Sequence, residues 1–402
     1  MSRGAFYATV MDLRSQPILI VGAGPVGLTL AWRLSQAGLR VEVYEADPQI
    51  ADQLRASTFH PPTLDMFTAS GITNELIERG RITPTWQIRM HGTGARAEFD
   101  LGVLSEDTGH PYRLQCRQAE LSRALLARLP EGVVRFSAPV DAVGQGAEGA
   151  YLSVQGHKVP GALIVGCDGA RSVVRTAMGV GFEGDTYPEN TVLVTTDFPF
   201  DAHLDGLSGV NYIWKPGGTY SLLRLPDVWR ISLHPAPGQS AEDALQDAEI
   251  RAQTVAVVPE AADMTICEKR IYRIHRRVAA RYRVGRLLLA GDAAHLNSPK
   301  GGMGMNGGIH DAWLLADLLT QLANGAPQDV LDRYESVRRP VARDDIVAQA
   351  DANRSRMITT DPAKRAAHLQ ELQAIAANPD RARSFLLKSS MIEGLRRAEA
   401  LA

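Results

Sequence analysis

Gly285-Arg-Leu-Leu-Leu-Ala-Gly-Asp-Ala-Ala-His295, followed by Ser298-Pro-Lys-Gly-Gly-Met-Gly-Met-Asn306, is the stretch on which the fold turns. An apolar strand, Leu287 to Ala290, ends in Gly291-Asp292 and then in a glycine-rich turn. That turn opens a helix predicted from about Met305 to Leu319, because Ile309, Ala312, Trp313, Ala316 and Leu319 share one helical face. A strand that delivers a carboxylate, then free backbone N–H groups at a helix start, suits an anionic ligand that carries hydroxyls. Taken by itself the stretch also fits an ordinary tight αβ junction. Two upstream segments decide between these readings.

The first is N-terminal. Ile18-Leu19-Ile20-Val21 reads as a short buried strand, and Gly22-Ala23-Gly24-Pro25-Val26-Gly27 has the spacing G-x-G-x-x-G. A helix follows through Gly38, with Leu28, Ala31, Trp32 and Leu34 apolar, and a second strand from Val41 ends in Glu45. Gly22 permits the tight turn, Gly24 lets the backbone approach a pyrophosphate, and Gly27 allows helix and strand to touch. The helix start faces the phosphates, and Glu45 is placed to bond a ribose hydroxyl. The strand, helix, second strand and terminal acid are all in register for dinucleotide binding. The second segment, Leu163-Ile164-Val165-Gly166-Cys167-Asp168-Gly169, again ends a buried strand in Asp-Gly, with a short polar-capped helix through Arg175. A plain turn initiated by aspartate explains that segment equally well.

Composition narrows the class. A chain of 402 residues predicts two or three domains with ample core. A formal net charge of −2 gives no reason to expect nucleic acid or an acidic membrane as partner. Cys116, Cys167 and Cys267 have no C-x-x-C spacing and cannot pair evenly, which argues against a disulfide framework or a zinc site and favours the cytoplasm. Met1 to Gln16 is interrupted by Arg3, Asp12 and Arg14, so no signal peptide is expected, and no apolar run suggests a membrane span. Met11 is an alternative start to Met1. There is no internal repeat.

The αβ segments are interrupted. From about Trp86 to Asp100, and again from about Thr191 to Pro235, strand-like alternation takes over. Thr191–Thr196, Val210–Trp214, Tyr220–Arg224 and Trp229–His234 read as neighbouring antiparallel strands, with Pro216-Gly217-Gly218 and Pro226-Asp227 as turns. The expected architecture is α/β: a discontinuous Rossmann-like domain for the dinucleotide, 1–85, 111–183 and 273–328, with an inserted antiparallel sheet, 86–110 and 184–272. A helical region, 329–402, completes it as a packing and dimerisation element.

The three motifs in this order resemble the class A flavoprotein monooxygenases, the single-component aromatic hydroxylases of the para-hydroxybenzoate hydroxylase fold. The resemblance covers roughly residues 16–340 and takes in Arg55-Ala56 and Gln115-Cys116-Arg117. Cys167, where a small residue such as alanine is usual, and Lys300 after the proline of the late loop depart from the family pattern. The resemblance implies FAD as bound cofactor and NADPH or NADH as a transient reductant. It implies a small aromatic or heteroaromatic substrate, hydroxylated with molecular oxygen through a flavin C4a-hydroperoxide. Flavin supplies the reactive atoms, while the protein supplies position, electrostatics and dryness. The inserted sheet then roofs the flavin and lines the substrate cavity. A monomer or homodimer fits.

Residue roles follow from the resemblance. Asp292 bonds the ribityl chain, although a plain turn cap has the same sequence. The helix start at Gly302, Gly304, Met305 and Asn306 faces the flavin ring and stabilises its reduced anion. Pro299 forms a backbone wall beside the flavin. Arg55 lies near the pyrophosphate, and one of Gln115 and Arg117 touches FAD. Asp168 and Arg175 serve FAD and nicotinamide, or are only structural. His295 is expected as a hydrogen-bonded structural histidine. His60 with Pro61-Pro62 is expected as loop packing, with the border of the pocket entrance as the functional alternative. Tyr212, Arg224 and Arg230 are the cavity candidates, and a slip of one residue would turn any of them outward. Trp214, Tyr220 and Trp229 are core residues or cavity walls.

The basic run Lys269, Arg270, Arg273, Arg276, Arg277, Arg281, Arg283 and Arg286 reads as a solvated, paired surface, with attraction of NADPH as the functional alternative. No metal is implied. Epoxidation and decarboxylating hydroxylation share the expected fold. A flavin halogenase is disfavoured by the lack of a Trp-x-Trp-x-Ile-Pro segment. A binding or chaperoning flavoprotein without turnover, and a flavin reductase feeding a partner, are the readings from other classes.

Overall fold

The computed structural model describes residues 11–401 apart from Leu54, Glu148, Gly217 and Pro237. The expected turn at Gly217 and the start at Met1 therefore lie outside the described residues. Four short strands form the parallel heart of a six-stranded sheet, in the spatial order Leu287–Leu289, Leu163–Gly166, Ile18–Val21, Val41–Tyr44. Nearly every residue in them is buried, as parallel strands covered on both faces require. Val21 stands level with Gly166 and with Tyr44, and Gly166 with Leu289. All four chains therefore leave the sheet along one edge, the carboxyl edge where ligands of open α/β sheets sit. Gly22, Cys167-Asp168, Gly291-Asp292 and Glu45 are the residues that emerge there.

The helix after the first strand runs Pro25–Gln36, and the late helix runs Gly304–Ala323, longer than its apolar face alone predicted. Leu322 extends the buried stripe past Leu319.

The inserted sheet has eight strands, in the order 295–296, 268–279, 182–196, 229–233, 218–224, 210–215, 85–90, 96–100. It contains all the strands expected for the insert. One pairing differs from a purely antiparallel sheet: Val210–Lys215 runs parallel to Thr85–Met90. The chain between those two strands passes through the dinucleotide-type domain, and a long crossover of that kind can return in parallel. Glu268–Ala279 is continuous across the expected division at 272/273. His295–Leu296 joins this sheet directly after Gly291–Ala293, so the late motif sits where the two sheets meet.

The C-terminal helices pack within the chain. Met357, Leu369, Leu372, Leu386 and Ile392 share a core with Trp86, Ile88 and Phe99 of the inserted sheet, and Phe385 stacks on Phe99 at 4.7 Å. Arg365 donates to the carbonyls of Lys215, Gly218 and Thr359, which fastens these helices to the sheet edge. Their apolar faces are thus covered by the insert. No helix among the described residues is long and apolar enough to cross a membrane.

Candidate active site

At the N-terminal loop each glycine has its own spatial reason. Gly22 adopts φ +100°, and a Cβ on it would meet the Cys167 carbonyl at 2.5 Å. A Cβ on Gly27 would lie 2.0 Å from the Gly22 carbonyl oxygen. A Cβ on Gly24 would meet nothing within 4 Å. The space beside Gly24 is open, and the helix that starts at Pro25 has no side-chain cap on its first N–H groups, a combination that suits an anion. Val26 turns away from this space and packs against Gly291 and Gly308, locking the first motif to the last. Glu45 accepts from the N–H groups of Ala23 at 2.6 Å and Asp47 at 2.9 Å, so it clamps the loop from the end of the second strand.

Asp292 is reachable by solvent, yet protein surrounds it. That crowding raises its carboxyl, while His295 and Arg55 act in the opposite sense. Among the described residues no group donates a hydrogen bond to it. Exposed Arg55 lies close enough to influence it. Beyond it, Pro299 is exposed, and Gly301 and Gly302 adopt φ +106° and +69°, turning the chain into the late helix. That helix starts at Gly304 and Met305 without a side-chain cap. The Asn306 side chain is engaged within the protein. Nδ2 donates to the carbonyls of Thr58 (2.9 Å) and Gly302 (2.8 Å), and Oδ1 accepts from the His60 N–H (3.0 Å). The amide ties the turn in place.

Asp168 and Arg175 carry clear structural duties. Asp168 Oδ2 accepts from the Val173 and Val174 N–H groups, while its Oδ1 is buried without a partner. Burial raises this carboxyl, against the hydrogen bonds from Ser172 and the helix backbone. Arg175 donates to the carbonyl of Ala293 at 2.9 Å and lies over the Phe182 ring, fastening the central motif to the late one. Gln115 is buried, with Oε1 on the Thr58 hydroxyl and Nε2 unpartnered, whereas Arg117 is paired with Glu268 at 3.0 Å. His295 is fully buried and bonds Asp311 at 2.7 Å, as a structural histidine. His60 Nε2 bonds the Gly301 carbonyl at 2.8 Å.

Strand parity sorts the cavity candidates. Tyr212 stands opposite Ser221, and Leu223 opposite Arg230, so Tyr212 and Arg230 face the same side of the inserted sheet. Arg224 stands opposite Trp229 and points to the other side, where its guanidinium lies 5.3 Å from the Trp229 ring. Arg224 is therefore removed from the cavity: it faces the second core of the insert. Tyr220 and Trp229 belong to that core, and Trp214 to the core under the C-terminal helices. Arg230 donates to the Ser57 hydroxyl (2.8 Å) and the Arg55 carbonyl (3.2 Å), linking the sheet to the Arg55 loop.

The face that holds Tyr212 borders a cavity lined also by Trp86, Ile88, Arg113, Lys300, Gly301 and the C-terminal residues Arg356 and Met357. Sequence reasoning missed Arg113 as a site residue. A signal was present, since Arg113 and Gln115 alternate on one face of strand Arg113–Gln115 while Leu114 packs into the main core. Four residues of the basic run stand in ion pairs: Lys269 with Asp247, Arg276 with Asp185 and Asp351, Arg281 with Glu335, Arg283 with Asp332. No cluster of metal-ligating side chains occurs among the described residues.

Residues 15–349 match the FAD binding domain family. The chain is 34% identical to para-nitrophenol 4-monooxygenase of Pseudomonas sp. (strain WBC-3), over 94% of this chain and 96% of that protein. It is 33% identical to the 6-hydroxy-3-succinoylpyridine 3-monooxygenase HspB of Pseudomonas putida, over 81% of this chain and 84% of the relative. The crystal structure of p-nitrophenol 4-monooxygenase PnpA from Pseudomonas putida DLL-E4 superposes with a TM-score of 0.86 at 31% identity, covering 94% of this chain and 98% of that one. Fold and site define a flavoprotein of the FAD-binding α/β class. This chain belongs to the class A flavoprotein aromatic hydroxylase family and is an FAD-dependent aromatic monooxygenase.

Proposed function

We propose that the chain hydroxylates a small phenol or hydroxylated heteroaromatic ring, using NADH or NADPH as reductant and molecular oxygen as co-substrate. The observation that carries this reading is spatial. Gly24, Asp292 and Glu45 line one sheet edge, and the late loop that follows Asp292 runs on into the Tyr212 cavity at Lys300 and Gly301. The relatives named for nitrophenol and hydroxypyridine chemistry support a ring hydroxyl on the substrate. On this reading the FAD-binding unit is drawn from 11–84, 111–181 and 280–328, the whole of Glu268–Ala279 going with the inserted sheet, which together with the C-terminal helices forms the substrate unit.

The residues present fit FAD: an open cradle at Gly24, an unpartnered carboxylate at Asp292, and uncapped helix starts at Pro25 and Gly304. Bound FAD supplies electron transfer from the nicotinamide and activation of oxygen. The chain's own residues do the rest. Asp292 accepts a hydroxyl of the cofactor chain, and Glu45 a ribose hydroxyl. The N–H groups at Gly304 and Met305 favour negative charge on the ring system. Pro299 offers no N–H and adds a rigid wall. Trp86, Ile88, Tyr212 and Met357 exclude water from the reacting ring.

Purified protein should show a flavin spectrum and oxidise NADH or NADPH faster when one of a panel of phenols, nitrophenols and hydroxypyridines is added. The product should be heavier by one oxygen. Oxidation at full rate without any ring compound would instead indicate a reductase, and FAD binding without turnover a carrier.

A further inference from the structure

We propose that Lys300 is the charge partner of an ionised ring hydroxyl, which makes the cavity selective for substrates bound as phenolates. This rests on the reading of the cavity as the substrate site. Lys300 is 5% exposed and stands between Pro299 and the left-handed Gly301, on the loop that turns into the late helix. Its Nζ lies 3.3 Å from His234 Nε2, and His234 Nδ1 lies 3.4 Å from the Asn190 carbonyl. A carbonyl accepts only, so Nδ1 carries the hydrogen and Nε2 accepts from Lys300. Burial, then the adjacent Lys300, hold His234 down to about 3, so it is a neutral partner. The lysine charge is not balanced by it.

Nor is it balanced elsewhere. Among the described residues no carboxylate forms an ion pair with Lys300, and the acid that acts on it, Glu189, is paired with Arg354. Apart from Glu371, which acts on Arg356, the other charges are of the same sign. Arg230 faces it from the neighbouring sheet, Arg113 and Arg356 share the cavity, and Lys215 acts on His234. Arg113 is itself 2% exposed, without an acidic partner among the described residues, and its Nε is unbonded. A buried cation without a counter-ion is strongly disfavoured. A ligand that brings one negative charge offsets that charge, and Trp86 and Tyr212 contribute aromatic groups to the cavity lining.

Lys300 differs from Arg113 in what it can do. The guanidinium stays protonated, 5.0 Å from the Trp86 ring centroid. Burial and then Arg230 lower Lys300 to about 8, so part of it is a neutral amine near physiological pH. On arrival of a phenol the O–H bond breaks and an N–H bond forms on Nζ. The products are a phenolate and an ammonium, and no other group changes. The ring becomes more electron-rich, as transfer of an oxygen atom to a ring carbon requires.

The test uses FAD-loaded protein and 4-nitrophenol, whose absorbance separates phenol from phenolate, read as a difference spectrum against the bound flavin. One pH unit below the free phenol's own pKa, about a tenth is ionised in solution. More than half of the ligand bound to wild-type protein should be ionised there. K300M should return the bound ligand to mostly phenol. K300Q, which keeps hydrogen-bond donors without the charge, should do the same. Three results would overturn the proposal: bound ligand no more ionised than free, unchanged ionisation in K300M, or an intact shift in K300Q. Flavin loading by all three proteins is read in the same spectra. Failure to load FAD would overturn the hydroxylase reading itself, whereas loaded protein that binds no phenolate overturns only the role of Lys300.

Discussion

Asp311 Oδ1 accepts from Arg338 Nε at 2.6 Å, with both side chains sealed from solvent. Its other oxygen holds His295 Nε2 at 2.7 Å and the Gly291 N–H at 3.1 Å. One carboxylate on the late helix thus fixes the backbone just ahead of Asp292 and anchors the helix Asp332–Val341 behind it. The position of Asp292 is inherited from this buried pair.

Arg338→Met should therefore be far more damaging than loss of a surface pair. Removing one member of a buried ion pair costs about 3–5 kcal/mol, against about 0–1 kcal/mol for an exposed one. Arg343, exposed and paired with Asp344, is the control. Urea unfolding midpoints of R338M and R343A check the contrast, and equal midpoints would refute it.

The same pair sets an acid limit. Burial alone would raise Asp311, but Arg338 first and then His295 outweigh it and hold the carboxyl down to about 2. A depressed folded pKa contributes stability above the unfolded value near 4, lost as pH falls from there through about 2. Unfolding free energy should drop by about 2 kcal/mol over that window in wild type, and this component should be absent in Asp311→Asn. Denaturant titrations at a series of acid pH values measure it.

The glycine loop separates folding from cofactor binding. Gly24 has φ −71°, open to any residue, and free space beside it, so Gly24→Val should leave the apoprotein's melting temperature unchanged while FAD is lost. Gly27→Val forces side-chain atoms into the Gly22 carbonyl and should lower the melting temperature itself. If both variants melt alike and load FAD alike, the cradle has been misplaced.

Parity makes a sharper statement about the two arginines than sequence allowed. Arg224→Ala removes a contact with Trp229 worth about 0.5–1 kcal/mol and should leave kcat/KM within about threefold. Arg230→Ala removes the donors to Ser57 and the Arg55 carbonyl, about 1–3 kcal/mol, and should lower kcat/KM by about tenfold or more. Steady-state kinetics on one accepted substrate decides.

These two residues also mark how far the sequence could be read. The strand-glycine-helix pattern at Gly22 and the Gly291-Asp292 turn were legible because spacing and chemistry are local. Arg224 was misassigned because alternation gives two faces but not which one meets the cofactor. The pairing of Tyr212 with Ser221 and Arg224 with Trp229 settles that only in three dimensions. Arg113 and the C-terminal wall escaped notice because their burial depends on helices about 240 residues further along the chain closing over Trp86 and Phe99. Lys300 was visible as a departure from the family pattern, but its solitude was not.

Asp292→Ala gives the most direct check on the cofactor side. Its carboxylate holds no other group, so nothing in the fold depends on it among the described residues, and the apoprotein should melt as wild type does. A hydrogen bond to a charged group contributes about 1.5–3 kcal/mol, which corresponds to FAD bound about 10- to 100-fold more weakly. Flavin fluorescence on titration into apoprotein measures the affinity, and Asp292→Asn, which keeps a polar group of the same shape, should fall between the two. Wild-type affinity in D292A would mean that Asp292 makes no contact with the cofactor, and the ribityl contact would have to come from elsewhere along the carboxyl edge.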